Sequence, residues 1–282
     1  MIALAENKYG KSRVRLVQVK RHSDRHDFRE WMVQILVTGD FESCFVDGDN
    51  SEILPTDTMK NTVYSLARDS VETCIEGFAQ ELAAFFLKHN SQLSSVNVGI
   101  AEKAWEHLMF EGKPHPTAFV QASAELQTTE VTHAKQGLAS LWSGLDNLVI
   151  MKTAGSEFAG FLKDSLTTLP ESTDRLFGTA LRARWKYRIG ADSFGPLRMG
   201  IRRILLGVFA EHASKSVQHT LHAMGETVLQ GVSEVEEIEL VMPNKHCLPV
   251  DLSRFGQDNP NEIFVPIDEP HGYIEARLRR QD

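Results

Sequence analysis

Leu181-Arg182-Ala183-Arg184-Trp185-Lys186-Tyr187-Arg188-Ile189 alternates apolar and cationic residues without a break. Successive side chains of a β-strand point to opposite faces. The run therefore reads as a half-buried strand, with Leu181, Ala183, Trp185, Tyr187 and Ile189 inward and the arginines and lysine outward. Upstream, residues 138–152 read as a second strand. Downstream the period lengthens to that of a helix across about 194–230, with Ile201, Ile204, Leu205, Val208 and Phe209 on one face. Strands return near 235–241 and 263–266.

The first half repeats this order. Residues 11–21 alternate loosely, Val14 and Leu16 facing one way and Arg13 and Arg15 the other, and residues 28–37 supply a partner with Val33, Ile35 and Val37 on one face. Gly39-Asp40 and Asp47-Gly48-Asp49-Asn50 mark turns. Val71, Cys74, Ile75, Phe78, Leu82, Phe85 and Phe86 then recur at helical spacing, which predicts helix across roughly 58–89. Val96, Val98 and Ile100 restore the period of two, and a further strand is expected at about 117–125. Two rounds of strand-strand-helix-helix-strand-strand predict an α+β architecture, an antiparallel sheet with helices on one face, divided into 1–136 and 137–282. The other face of each sheet needs cover, which a second subunit could supply.

Composition narrows the partners. The 282 residues are 42% hydrophobic and 24% charged, ordinary for a globular chain with a sizeable core. A formal charge of −8 argues against nucleic acid or an anionic membrane as the main partner, since both call for a broad basic surface. A small anion could still bind at a local cluster of cations. Cys44, Cys74 and Cys247 are odd in number and widely spaced, so they read as reduced thiols and not as disulfides or a zinc site. Met1-Ile2-Ala3-Leu4-Ala5-Glu6 is too short and too soon charged for a secretory core, and no apolar run reaches membrane-spanning length.

Three short motifs carry the chemistry: Tyr9-Gly10-Lys11, Pro55-Thr56-Asp57-Thr58-Met59-Lys60-Asn61-Thr62 and Pro243-Asn244-Lys245-His246. Thr56-Asp57 precedes a helical segment and reads as an N-cap, or as an anion site made by helix amides. Lys11 reads as a solvated lysine, or as a base if its surroundings favour the neutral amine. Arg175 could pair with a nearby acid or present a planar donor fork to a heterocycle. Phe158 could be core or a stacking platform, and Phe161 reads as core. Asn244 and His246 sit where a strand gives way to a loop. His212, His219 and His222 read as solvated.

In this order, and with Phe158, Arg175 and Val217-Gln218 between them, the motifs resemble the urate oxidase (uricase) family over about residues 8–272. The resemblance implies two tandem T-folds per chain and a tunnel-forming homotetramer with active sites at subunit interfaces. It implies oxidation of urate by molecular oxygen to 5-hydroxyisourate, with release of hydrogen peroxide and with neither cofactor nor metal. Lys11, Thr56 and His246 would move protons. Thr56, Asp57, Phe158, Arg175, Val217, Gln218 and Asn244 would bind urate, and Thr56 and Asn244 would hold oxygen or water. The resemblance sets Lys11, Thr56 and Asp57 on one chain and the rest on its neighbour. Eukaryotic relatives are often peroxisomal; Arg279-Arg280-Gln281-Asp282 is no peroxisomal tripeptide, so a bacterial-type cytoplasmic enzyme is expected. The competing readings are a zinc-dependent purine or pterin hydrolase and a non-catalytic purine-binding T-fold protein.

Overall fold

A computed structural model describes residues 2–281. The sequence readings that rest on Met1 and Asp282 fall outside the described residues. The chain forms two compact units, residues 1–145 with 186–195, and residues 146–185 with 196–282. Among the described residues no helix is long and apolar enough to cross a membrane.

The first unit contains β1 (Tyr9–Arg21), β2 (His26–Gly39), α1 (Glu42–Val46), α2 (Thr56–Asp69), α3 (Ile75–His89), β3 (Leu93–Phe110), β4 (Lys113–Ala134) and the start of β5 (Gly137–Lys152). The strands are neighbours in that order, and β1 to β4 pair antiparallel. Alternation in β2 buries Trp31, Val33, Ile35 and Val37 almost completely. The Trp31 ring stacks on Phe78 of α3 with centroids 5.1 Å apart. Met59 and Val63 of α2, and Leu82 and Phe86 of α3, complete the core.

The helical stretch expected across 58–89 is two helices, as the helix-helix order requires, parted at Ser70. Ser70 takes an extended ψ of 135°, and its hydroxyl donates to Glu81 Oε2 at 2.5 Å and accepts from the Glu72 amide at 3.2 Å. This local bonding competes with the helix. Val71, expected on the apolar face, is 88% exposed in the break. Cys74 N-caps α3, its sulfur accepting from the Gly77 amide at 3.4 Å.

A β-bulge shapes the start of β1. Lys11 pairs with Ile35 and Val14 with Val33, so Ser12 and Arg13 together oppose Gln34. Arg13 takes a positive φ of 58°. Cross-strand partners share a sheet face, so the bulge brings Lys11 onto the face of Val14 and Ile35, which the helices cover. Gly10 lets this happen: a Cβ there would lie 1.9 Å from the Ile35 carbonyl oxygen. Gly10→Ala is therefore expected to destabilise the unit by about 1–3 kcal/mol through overpacking. Thermal unfolding checks this, and an unchanged midpoint would contradict the close approach.

The second unit contains the end of β5, β6 (Phe177–Tyr187, its last two residues in the first unit), α4 (from Phe194–Glu211), α5 (Val217–Gly231), β7 (Val235–Val241), β8 (Asn244–Pro249), β9 (Phe264–Gly272) and β10 (Glu275–Arg279). The strands run β5-β6-β7-β10, and β8 pairs with β6 and β9. Leu181, Ala183, Trp185 and Tyr187 are buried as the alternation requires, but Ile189 is 74% exposed. The strand has ended before it, and Gly190 turns the chain at φ 95°. Ile201, Leu205 and Phe209 form the buried face of α4, with Phe209 5.1 Å from the Phe177 ring. The strand expected at 263–266 is β9, paired with β8; the strand beside β7 is β10. Helix α5 packs on β7 and β10.

Candidate active site

The motif residues of the first unit converge where β1 meets the start of α2. The Tyr9 hydroxyl accepts from the Leu54 amide at 2.8 Å, which ties the segment before the helix to the strand. The Tyr9 ring lies edge-on to Phe41, centroids 4.9 Å apart, and burial raises its phenol above the ordinary range. Side chains at i and i+2 share a face of a strand, so Tyr9 and Lys11 point the same way.

Pro55 is the N-cap of α2, and no side chain caps it. Thr56 and Asp57 are already helical, which corrects their N-cap reading. The Asp57 carboxylate instead turns along the helix, accepting from Lys60 Nζ at 2.5 Å and Asn61 Nδ2 at 3.0 Å. The Lys60 bond holds its pKa down, and the Lys11 charge adds to this. Lys11 therefore lies beside the first turn of α2. The amides of that turn have no acceptor within the helix. Together with Lys11 they make a positive corner suited to an anion.

In the second unit, residues 155–158, 172–175 and 214 knit into a small framework. Ser214 N donates to Gly155 O at 2.9 Å, and Glu157 N donates to Ser214 O at 2.8 Å. Phe158 and Ser172 exchange backbone bonds of 2.8 and 3.0 Å, and Arg175 N donates to Ser156 O at 2.8 Å. This sets the Arg175 guanidinium 4.9 Å from the Phe158 ring centroid. Burial lowers the Arg175 pKa, but a guanidinium stays charged at any working pH.

Phe158 and Arg175 face a cavity of about 360 Å³, and Asn244 and His246 lie on its wall. That volume suits one small heterocycle. Both Asn244 and His246 belong to β8 and not to a loop, which corrects the sequence reading. Asn244 pairs with Thr179 of β6 and Gly272 of β9, and His246 with Ile267. Asn244 Nδ2 and His246 Nδ1 are 3.5 Å apart. Lys245 between them donates to Asp268 at 2.6 Å.

Val217 and Gln218 open α5, Val217 buried and Gln218 exposed. They are not on the wall of this cavity. Ser216 caps the helix by accepting from the His219 amide at 3.1 Å. The nine expected site residues thus form three groups: Lys11, Thr56 and Asp57 in the first unit; Phe158, Arg175, Asn244 and His246 on one cavity; Val217 and Gln218 at a helix start.

Two further residues differ from their sequence reading. Phe161 is half-buried and not core; it stacks on Phe158 with centroids 4.9 Å apart and planes 12° from parallel. Between the two rings Gly160 takes a positive φ of 68° in a bend of the chain. His212 is half-buried and not solvated, its Nδ1 lying 3.1 Å from Thr220 Oγ1. Burial, then the nearby His219 and Lys152, lowers its pKa. His219 and His222 are exposed, as expected.

Two successive units, each an antiparallel sheet with a helix pair against it, define a tandem T-fold protein. A family model described as Uricase matches residues 7–132 and again 141–275. The chain is 38% identical to a uricase of Arthrobacter globiformis over 99% of its length and 91% of that protein. It is 36% identical to an Arabidopsis thaliana uricase, covering 98% of this chain and 95% of that one. The crystal structure of the Arthrobacter globiformis uricase superposes with a TM-score of 0.94 at 37% identity, covering 100% of this chain and 96% of that one. The chain belongs to the uricase family.

Proposed function

We infer that the chain oxidises urate with molecular oxygen and water, giving 5-hydroxyisourate and hydrogen peroxide. The cavity that collects Phe158, Arg175, Asn244 and His246 in a member of the uricase family carries this reading. One urate, one dioxygen and one water balance one 5-hydroxyisourate and one hydrogen peroxide: urate loses two electrons, dioxygen gains them, and water supplies the hydroxyl. No electrons are needed from elsewhere, so no resident cofactor is assigned.

Dioxygen is a triplet and reacts slowly with closed-shell molecules. Deprotonated urate is electron-rich enough to give up one electron at a time. The protein's task is then to hold the anion flat, remove a proton and place oxygen over the ring. Phe158 supplies the face to stack on. Arg175 presents its planar fork to the acceptors of one edge. Gln218 and the Val217 backbone take another edge, and the Asp57 amide a third. Lys11, Thr56 and His246 carry protons, and Thr56 and Asn244 hold oxygen and then the attacking water. A histidine relay suits neutral pH because protonation costs imidazole little there.

The two halves of this set lie in different units, and in the proposed homotetramer each site takes one half from each of two chains. Val17, Val120, Val149 and Met151 are strand residues that are each about half exposed, apolar surface of the kind a neighbouring subunit covers. Three free thiols, Cys44, Cys74 and Cys247, support placement in a reducing cytoplasm. Complementation tests the shared site. Lys11→Met chains and Arg175→Met chains, each strongly impaired alone when urate is kept well below KM, regain wild-type activity at about a quarter of the sites when co-assembled at random, because each site draws one half from each of two chains. If one chain supplies both halves, mixing restores nothing.

A further inference from the structure

We propose that Lys152 is a positioning residue for the urate clamp, acting on Arg175 and Gln218 together; the inference deepens the urate-oxidase reading and rests on it. Lys152 ends β5, one residue before Thr153, which lies on the cavity wall. Its ammonium donates to the His212 carbonyl at 2.6 Å, just past the end of α4. The Phe177 and Phe209 rings each lie 5.8 Å from it. The side chain is half-buried, and burial lowers its pKa while the nearby Asp174 carboxylate opposes that. A cation is favoured at a helix C-terminus, where unpaired carbonyls carry partial negative charge.

Its hydrogen bond to His212 leads to one arm of the clamp, and its contact with the Phe177 ring, two residues past Arg175, sets it beside the other. Asp174 Oδ1 accepts from the Ser156 amide at 3.2 Å and immediately precedes Arg175. His212 lies two residues before Ser214, whose backbone is bonded into the framework and whose hydroxyl donates to Ser216 O at 3.0 Å. Ser216 in turn caps the helix that begins Val217-Gln218. One half-buried charge, bonded to the segment before α5 and set against Phe177, thus bridges the Arg175 segment and the start of α5. A purine held on two edges needs that spacing constant. Nothing in the sequence separated Lys152 from an ordinary strand-end lysine.

The test compares wild type, Lys152→Met and Lys152→Arg as assembled protein, with steady-state kinetics on urate and direct titration of xanthine, a purine that the titration reads without turnover. Lys152→Met raises the KM for urate and weakens xanthine roughly tenfold, the scale of a partly buried charge at a helix C-terminus, while kcat changes less. Lys152→Arg restores most of both, since a guanidinium reaches the same carbonyl and keeps its charge. A lowered melting temperature with KM and xanthine affinity unchanged overturns the inference, because a purely structural lysine behaves so. If Lys152→Met does not assemble, Asp174→Asn carries the test. It keeps an oxygen for the Ser156 amide and removes the charge facing Lys152, so KM rises severalfold; an unchanged KM overturns the inference. Wild type that binds xanthine but leaves urate intact contradicts the oxidase reading instead, and the xanthine titrations still decide for Lys152.

Discussion

Lys11→Met is expected to lower kcat on urate by about 10²- to 10⁴-fold, the range over which a positioned acid–base group acts, with a much smaller change in KM. The bulge between Lys11 and Val14 turns the lysine onto the helix-covered face, beside the first turn of α2. In the proposed relay it exchanges a proton with the hydroxyl of Thr56, the residue that starts that turn. Methionine keeps the length and loses the proton and the charge. Thr56→Val, which keeps the branched shape, is expected to fall in the same range, and the double variant is expected to be little worse than either single one. Groups that act as a unit are not additive. Rapid-mixing kinetics with urate checks this. A double variant worse by the product of the two single losses would show that Lys11 and Thr56 act separately.

Arg175→Met is expected to lower kcat/KM by about 10- to 150-fold, equivalent to roughly 1.5–3 kcal/mol for hydrogen bonds to a charged partner. Most of the loss is expected in KM, because in the proposed clamp the guanidinium holds urate before and during reaction alike. Arg175→Lys is expected to recover only part of it. An ammonium keeps the charge over Phe158, now 4.9 Å from the guanidinium carbon, but lacks the planar fork. The comparison separates charge from geometry. Full recovery with lysine would mean that Arg175 serves only as a counter-charge for the anion.

The fold was legible where burial is one-sided. Residues 235–241 coincide with β7 and 138–152 nearly so with β5, because a strand with one core face writes that face into its alternation. It was illegible where bonding is local or the strand lies at an edge. The break at Ser70 depends on a hydroxyl reaching Glu81, which spacing does not encode. Glu275–Arg279 offers only Ala276 and Leu278 to the inner face, so β10 passed unnoticed. The site followed the same division. Tyr9-Gly10-Lys11 is intelligible only with the structure, since the glycine is required by a carbonyl on the next strand. Phe161 escaped because its contact with Phe158 depends on a bend at Gly160, and Lys152 because its hydrogen-bond partner, His212, lies 60 residues away.

Absorbance of urate in the near ultraviolet, followed with purified metal-stripped protein in air and under argon while peroxide is assayed, tests the central claim most directly. The account predicts decay in air with one hydrogen peroxide formed per urate consumed, and no decay under argon. Decay that continues without oxygen, or that appears only after a metal or flavin is restored, would contradict it.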